Sequence, residues 1–186
     1  MRVISTERWT YDDMKAKLPA ESRYELRNFS LIDMPSPKRI HQRITGFVYR
    51  KLFNLINLSQ LGEVFVSPFD VVLDKGNVCQ PDVFFLSKEK RSLSTEEGIF
   101  GAPDLTVEVV SKGSVVRNYV EKKNDYEQFG VSEYWIIDPL NETIIVYALI
   151  NDKYVVFSAV EESGTAHSKL VEGFELTFEE VFKAEA

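Results

Sequence analysis

Two periodicities alternate along the chain. Ile40, Ile44, Val48, Leu52, Leu55 and Leu58 recur at helical spacing and form one apolar stripe. They lie in "MPSPKRIHQRITGFVYRKLFNLINL", where Ser36 can cap a helix and Pro37 suits its first position. Residues 111–130 predict a second long helix, closed by Gly130, with Val115, Tyr119, Lys122, Tyr126 and Phe129 on one face. Short runs rich in Val, Ile, Phe and Tyr predict strands: residues 24–33 as one strand, then "EVFVSPFDVVLD", "PDVFFLS", "LTVEVV", "SEYWIID", "ETIIVYALI" and "KYVVFSAV". Thr10 can cap a short helix that Pro19 ends, and another short helix starts near Thr177. The strand–helix–strand unit over 105–137 predicts a crossover, and the other short strands predict antiparallel pairing. The expected fold class is α/β (α+β): a mixed sheet flanked by helices, in a single domain over 1–186.

Three carboxylates interrupt this pattern. Glu108 sits among Leu105, Val107, Val109 and Val110, sharing a strand face with Thr106 and Val110. It either faces solvent or needs a cation or a proton, because an unpaired buried charge is costly. Asp82 follows Pro81 and precedes "VFFL", and Glu25 begins a strand. Carboxylates from neighbouring strands can converge on a magnesium ion, which takes one or two of them. Asp104 is a rival for Asp82, but four residues of strand separate it from Glu108, about 13 Å. A strand start or a turn cap suits it better. Lys122 lies between apolar and aromatic residues of the second helix, so it either meets a carboxylate or snorkels to solvent.

Composition narrows the classes. The chain has 186 residues, 44% of them hydrophobic, enough for a core. No apolar run approaches the ~20 residues of a membrane span. The first residues lack an apolar signal core, and a cytoplasmic protein is expected. Cys79 is the one cysteine, which leaves no disulfide and reads as a structural thiol. The net charge is −7, yet residues 34–62 contain no Asp or Glu and five cations: Lys38, Arg39, Arg43, Arg50 and Lys51. They leave −12 for the rest. Such an island is either a nucleic-acid footprint or an ordinary cationic helix face.

The pieces "RYEL", "PSPKRIHQ", "QPDVFFL", "APDLTVEVVS" and "KKNDYEQFGVSEYWIIDP" resemble, in order and spacing, the Uma2 restriction-endonuclease family of the PD-(D/E)XK nuclease superfamily. The resemblance implies a restriction-endonuclease-like fold and metal-dependent hydrolysis of DNA phosphodiesters. It implies Asp82 and Glu108 as ligands of Mg²⁺ or Mn²⁺, helped by the Val109 carbonyl, with Glu25 at metal-bound water or a second ion. The lysine that usually lies two residues after the second acid is Val110 here; the family moves it to the following helix, where Lys122 stands. Lys112 is a rival on strand parity. Lys38, Arg39 and Arg43 would hold the DNA backbone, and His41 would contact phosphate, orient Glu25 or simply start the helix. A homodimer is expected, because many nucleases of this fold cut two strands as dimers. The chain departs from the family at Asn118, usually Asp, at Phe29, where Gly is expected, and at Ser111-Lys112-Gly113-Ser114. Two other readings stand: an inactive nuclease-fold protein that binds nucleic acid or protein partners, and a structural or oligomerisation domain using Val116 and Val120.

Overall fold

The computed structural model describes residues 2–3, 5, 7–19 and 23–184. The elements run β1 (Arg2–Val3), α1 (Tyr11–Lys17), β2 (Tyr24–Arg27), β3 (Ser30–Asp33), α2 (Arg39–Ser59), β4 (Gly62–Val66), β5 (Val71–Asp74), β6 (Asn77–Cys79) and β7 (Val83–Ser87). A 3₁₀ turn, Lys88–Leu93, leads to β8 (Ile99–Phe100) and β9 (Leu105–Val109). A π-helical turn, Arg117–Lys122, runs into α3 (Lys123–Phe129). Then come β10 (Glu133–Asp138), β11 (Thr143–Ile150), β12 (Lys153–Glu161), β13 (Thr165–His167), β14 (Glu175–Thr177) and a last π turn, Glu179–Lys183.

The central sheet has the order β12-β11-β10-β9-β7-β4. Only β9 and β10 pair in parallel there, with Glu108 opposite Ile136, and the helix between them makes the expected crossover. Leu105, Val107 and Val109 join one core with Ile44, Val48, Leu52 and Ile56 of α2. Burying each such side chain contributes about 1.5–3 kcal/mol. On the other side Val110 packs with Phe84, Tyr126, Tyr134 and Ile136. Both sides of β9 are therefore covered, and the solvated-face reading of Glu108 fails: the residue is 3% exposed.

A second sheet has the order β1-β3-β2-β6-β5-β8. The single strand expected over 24–33 is a hairpin. Asn28 and Phe29 take φ of 48° and 63°, and two left-handed residues form the tight turn whose twist suits antiparallel strands. Phe29 lies against Gly76, where an added Cβ would come 2.7 Å from the ring. The helix expected to begin at Pro37 with Ser36 as its cap begins at Arg39, with Lys38 as N-cap and no side-chain cap bond. Residues 111–130 contain the expected helix only from Val115, widened by the π turn, and Gly130 ends it in the left-handed conformation. Val115, expected on the inward face, is exposed. The small β13–β14 sheet was not expected from the pattern. Among the described residues no helix is long and apolar enough to cross a membrane.

Candidate active site

Strand β9 carries Glu108 on the side of the sheet that faces the 115–129 helix. Lys122 donates a hydrogen bond to Glu108 Oε1 (2.7 Å), and the Tyr126 hydroxyl donates to the same oxygen (2.8 Å). Burial pushes Glu108 up to about 7; Lys122 pulls the other way, and the Asp82 and Glu25 carboxylates add to the rise. Burial alone would lower Lys122, but Glu108 and Glu25 hold it above its ordinary value, so it stays an ammonium.

Glu25 enters from β2 of the second sheet and is fully buried. Its Oε1 lies 2.9 Å from Lys122 Nζ and accepts from the Gln80 amide (2.9 Å). Its Oε2 accepts from Arg117 Nη2 (2.5 Å) and Nε (3.1 Å). Burial would raise its pKa; Lys122 and Arg117 overcome that and hold it at about 2. Both oxygens are thus engaged by cations and an amide.

Asp82 precedes β7. Its Oδ2 accepts from the Val109 amide (2.7 Å) and lies 3.1 Å from His41 Nε2. The Thr45 hydroxyl lies 3.4 Å from His41 Nδ1. An accepting Nδ1 leaves Nε2 as the N–H that donates to Asp82. Burial lowers the His41 pKa, but the contact with Asp82 outweighs it and the net direction is upward.

Asp82, Glu108, Val109, Lys122, His41, Lys38, Asn118 and Lys112 all line one groove with a cavity of about 400 Å³. Glu25 and Arg117 do not line it; they stand behind Lys122. Asp82 Oδ1 and Glu108 Oε2 accept no hydrogen bond among the described residues, where each carboxylate's other oxygen is taken. No three of His, Cys, Asp and Glu converge among these residues to cage a metal by themselves. Two carboxylates with a free oxygen each, a nearby carbonyl and water nevertheless form a donor set that suits magnesium or manganese. The charges are interlocked: Lys122 lies between Glu25 and Glu108, Arg117 between Glu25 and Glu121, and Asp82 meets His41.

The basic island divides. Lys38 and Arg39 are exposed, and Lys38 is on the groove. Arg43 instead donates to the Val181 carbonyl (2.6 Å) and the Ala184 carbonyl (3.2 Å), and Lys51 pairs with Glu180 at 2.7 Å. The acidic last turn consumes these two cations, so Arg43 is turned away from the groove where DNA contact was expected. His41, proposed for phosphate or Glu25, meets Asp82. Asp104 accepts from the Ser87 amide and pairs with Lys90, a strand-start role. Burial pushes the Cys79 thiol up to about 12, as befits a structural position.

Sequence reasoning missed Arg117 and Gln80, which act on Glu25. It also passed over Glu133, a buried acid that needs no metal. Glu133 accepts from Trp135 Nε1, the Ser168 hydroxyl and the amides of Lys169 and Leu170.

The family described as "Uma2: Putative restriction endonuclease" matches residues 10–179. A crystal structure described as a "putative nuclease belonging to DUF820" from Anabaena variabilis superposes with a TM-score of 0.78. Its sequence is 18% identical, and the match covers 94% of this chain and 97% of that one. At that identity the likeness bears on the fold. The comparison with curated proteins gives no match.

Proposed function

The chain belongs to the Uma2 family, and from that membership we propose that it is a PD-(D/E)XK-type DNA endonuclease dependent on Mg²⁺ or Mn²⁺. One observation carries the reading: Lys122 and Glu108, from separate elements, meet at the groove that Asp82 also lines. Asp82 and Glu108, with the Val109 carbonyl, would hold the ion. When bound, it supplies Lewis-acid polarisation of the scissile phosphate and a more acidic water.

The rest falls to the side chains. Val109 N–H and His41 occupy one oxygen of Asp82, which leaves the other to ligate the ion. Tyr126 and Lys122 do the same for Glu108. The Lys122 ammonium has three donors; Glu108 and Glu25 occupy two. The third can meet a phosphoryl oxygen and stabilise the charge that grows there as water attacks. The Glu108 and Glu25 carboxylates keep the ammonium protonated, so its role is electrostatic positioning of the phosphate and the attacking water. Lys38 and Arg39 would hold the DNA backbone at the groove's rim. Val116 and Val120, 65% and 51% exposed, offer an apolar patch to a second copy that would cut the other strand.

Purified protein incubated with plasmid and Mg²⁺ or Mn²⁺ tests this. Cleavage should disappear with EDTA and in Asp82→Asn and Glu108→Gln. Lys122→Met should lose about 10²–10³-fold in kcat, the usual effect of removing a preorganised charge stabiliser. Undiminished cleavage by folded Asp82→Asn or Glu108→Gln sinks the assignment.

A further inference from the structure

Arg117 and Lys122 are five residues apart on one helix, yet both reach the carboxylate of Glu25. In an α-helix each residue advances about 100°, so residues five apart point roughly 140° away from each other. They could not both engage one buried group. The π turn over Arg117–Lys122 removes the obstacle. Its i→i+5 hydrogen bonding winds the backbone more loosely, which brings residues five apart much closer to one face, and such turns recur at functional sites. Arg117 and Lys122 are 6% and 2% exposed, so neither spends its charge in water.

The division of Glu25 is specific. Arg117 takes Oε2 with two donors, while Oε1 is left to Lys122 and the Gln80 amide. Without Arg117, Glu25 would have a second oxygen free to draw Lys122 away from Glu108. Arg117 is itself steadied by Glu121 (3.1 Å), which lies 3.7 Å from Arg27.

We infer that Arg117 is a positioning residue that, through Glu25, fixes the Lys122 ammonium between Glu25 and Glu108, and that the π turn exists to let one helix carry both cations. This rests on reading Lys122 as the charge that meets the scissile phosphate.

The Lys122 side-chain ¹⁵Nζ resonance, assigned by its loss in Lys122→Arg, tests the inference. A buried, doubly paired ammonium exchanges slowly and should give a sharp signal in the wild-type protein. Arg117→Gln should shift or broaden it, and Arg117→Lys, with one donor group where arginine has several, should give an intermediate signal. In cleavage assays Arg117→Gln should lose about 10–100-fold in kcat with KM little changed, as expected for an outer partner that orients a catalytic group. Lys15→Gln, which breaks an exposed pair with Glu97 that touches neither Glu25 nor Arg117, should leave both readouts unchanged. An unaltered Lys122 signal in both folded Arg117 variants overturns the inference. If the wild-type protein cleaves nothing, the nuclease reading fails while the resonance still decides the positioning claim.

Discussion

Glu25 shows how charge placement becomes stability. Its carboxyl is buried and held at about 2 by Lys122 and Arg117. A carboxylate whose folded pKa is depressed stabilises the fold above its unfolded value, near 4.5, and loses that contribution as pH falls towards about 2. Glu25→Gln should therefore cost about 3 kcal/mol at pH 7, and the gap to wild type should close between pH 4.5 and 2. Urea titrations across that range measure it; a gap independent of pH would mean that Glu25 is not ionised in the fold. At this scale the sequence was informative where chemistry and periodicity disagreed. Glu108 stood out because it lay in an apolar strand, and Lys122 because it lay on an aromatic helix face. Glu133 raised no alarm at a strand start, since its partners at 168–170 come from a distant loop that no local pattern announces.

Among the elements, α2 was read correctly as an amphipathic helix, but Ile40 and Leu58 of its expected stripe are exposed, and its charges were misread. Periodicity locates a buried stripe; it cannot tell which flanking cations meet solvent and which meet another element. Arg43 is bonded to two carbonyls of the last turn, so it serves that turn, whereas Lys38 and Arg39 have no such partners among the described residues. Arg43→Ala should cost about 1.5–3 kcal/mol of stability, the scale of lost hydrogen bonds to a charged group, and leave the salt dependence of DNA binding intact. Lys38→Ala and Arg39→Ala should each lower the slope of log K against log salt by about 1 with little effect on stability. Binding isotherms at several salt concentrations separate the two; a reduced slope for Arg43→Ala would return it to the DNA surface. The other misread elements have similar causes. A Phe in the left-handed conformation hides the β2–β3 turn, and a π turn is invisible to a 3.6-residue template.

Across the whole molecule the ion cluster joins two sheets, since Glu25 belongs to one, Glu108 to the other, and the 115–129 helix bridges them. At this joint, burial and the neighbouring Asp82 and Glu25 carboxylates push Glu108 up to about 7 against the pull of Lys122. A carboxyl raised in the fold favours the protonated native state. The metal-free protein therefore loses stability as pH rises from about 4.5 to 7 and does not regain it above. Glu108→Gln cannot ionise, and its carbonyl can still accept from Lys122 and Tyr126, while Glu25 keeps Lys122 paired. In EDTA the variant should thus be more stable than wild type by about 1–3 kcal/mol at pH 8 and by far less at pH 5. Saturating Mn²⁺ should raise the Tm of the wild-type protein and not that of the variant, because only a fold that binds the ion gains from it. The trade is the one expected of a functional site: a group retained against stability because its charge is needed. Equal stability of the two proteins at pH 8 in EDTA would show that Glu108 is already compensated from within the chain, and the case for a cation in this groove would lose its electrostatic support.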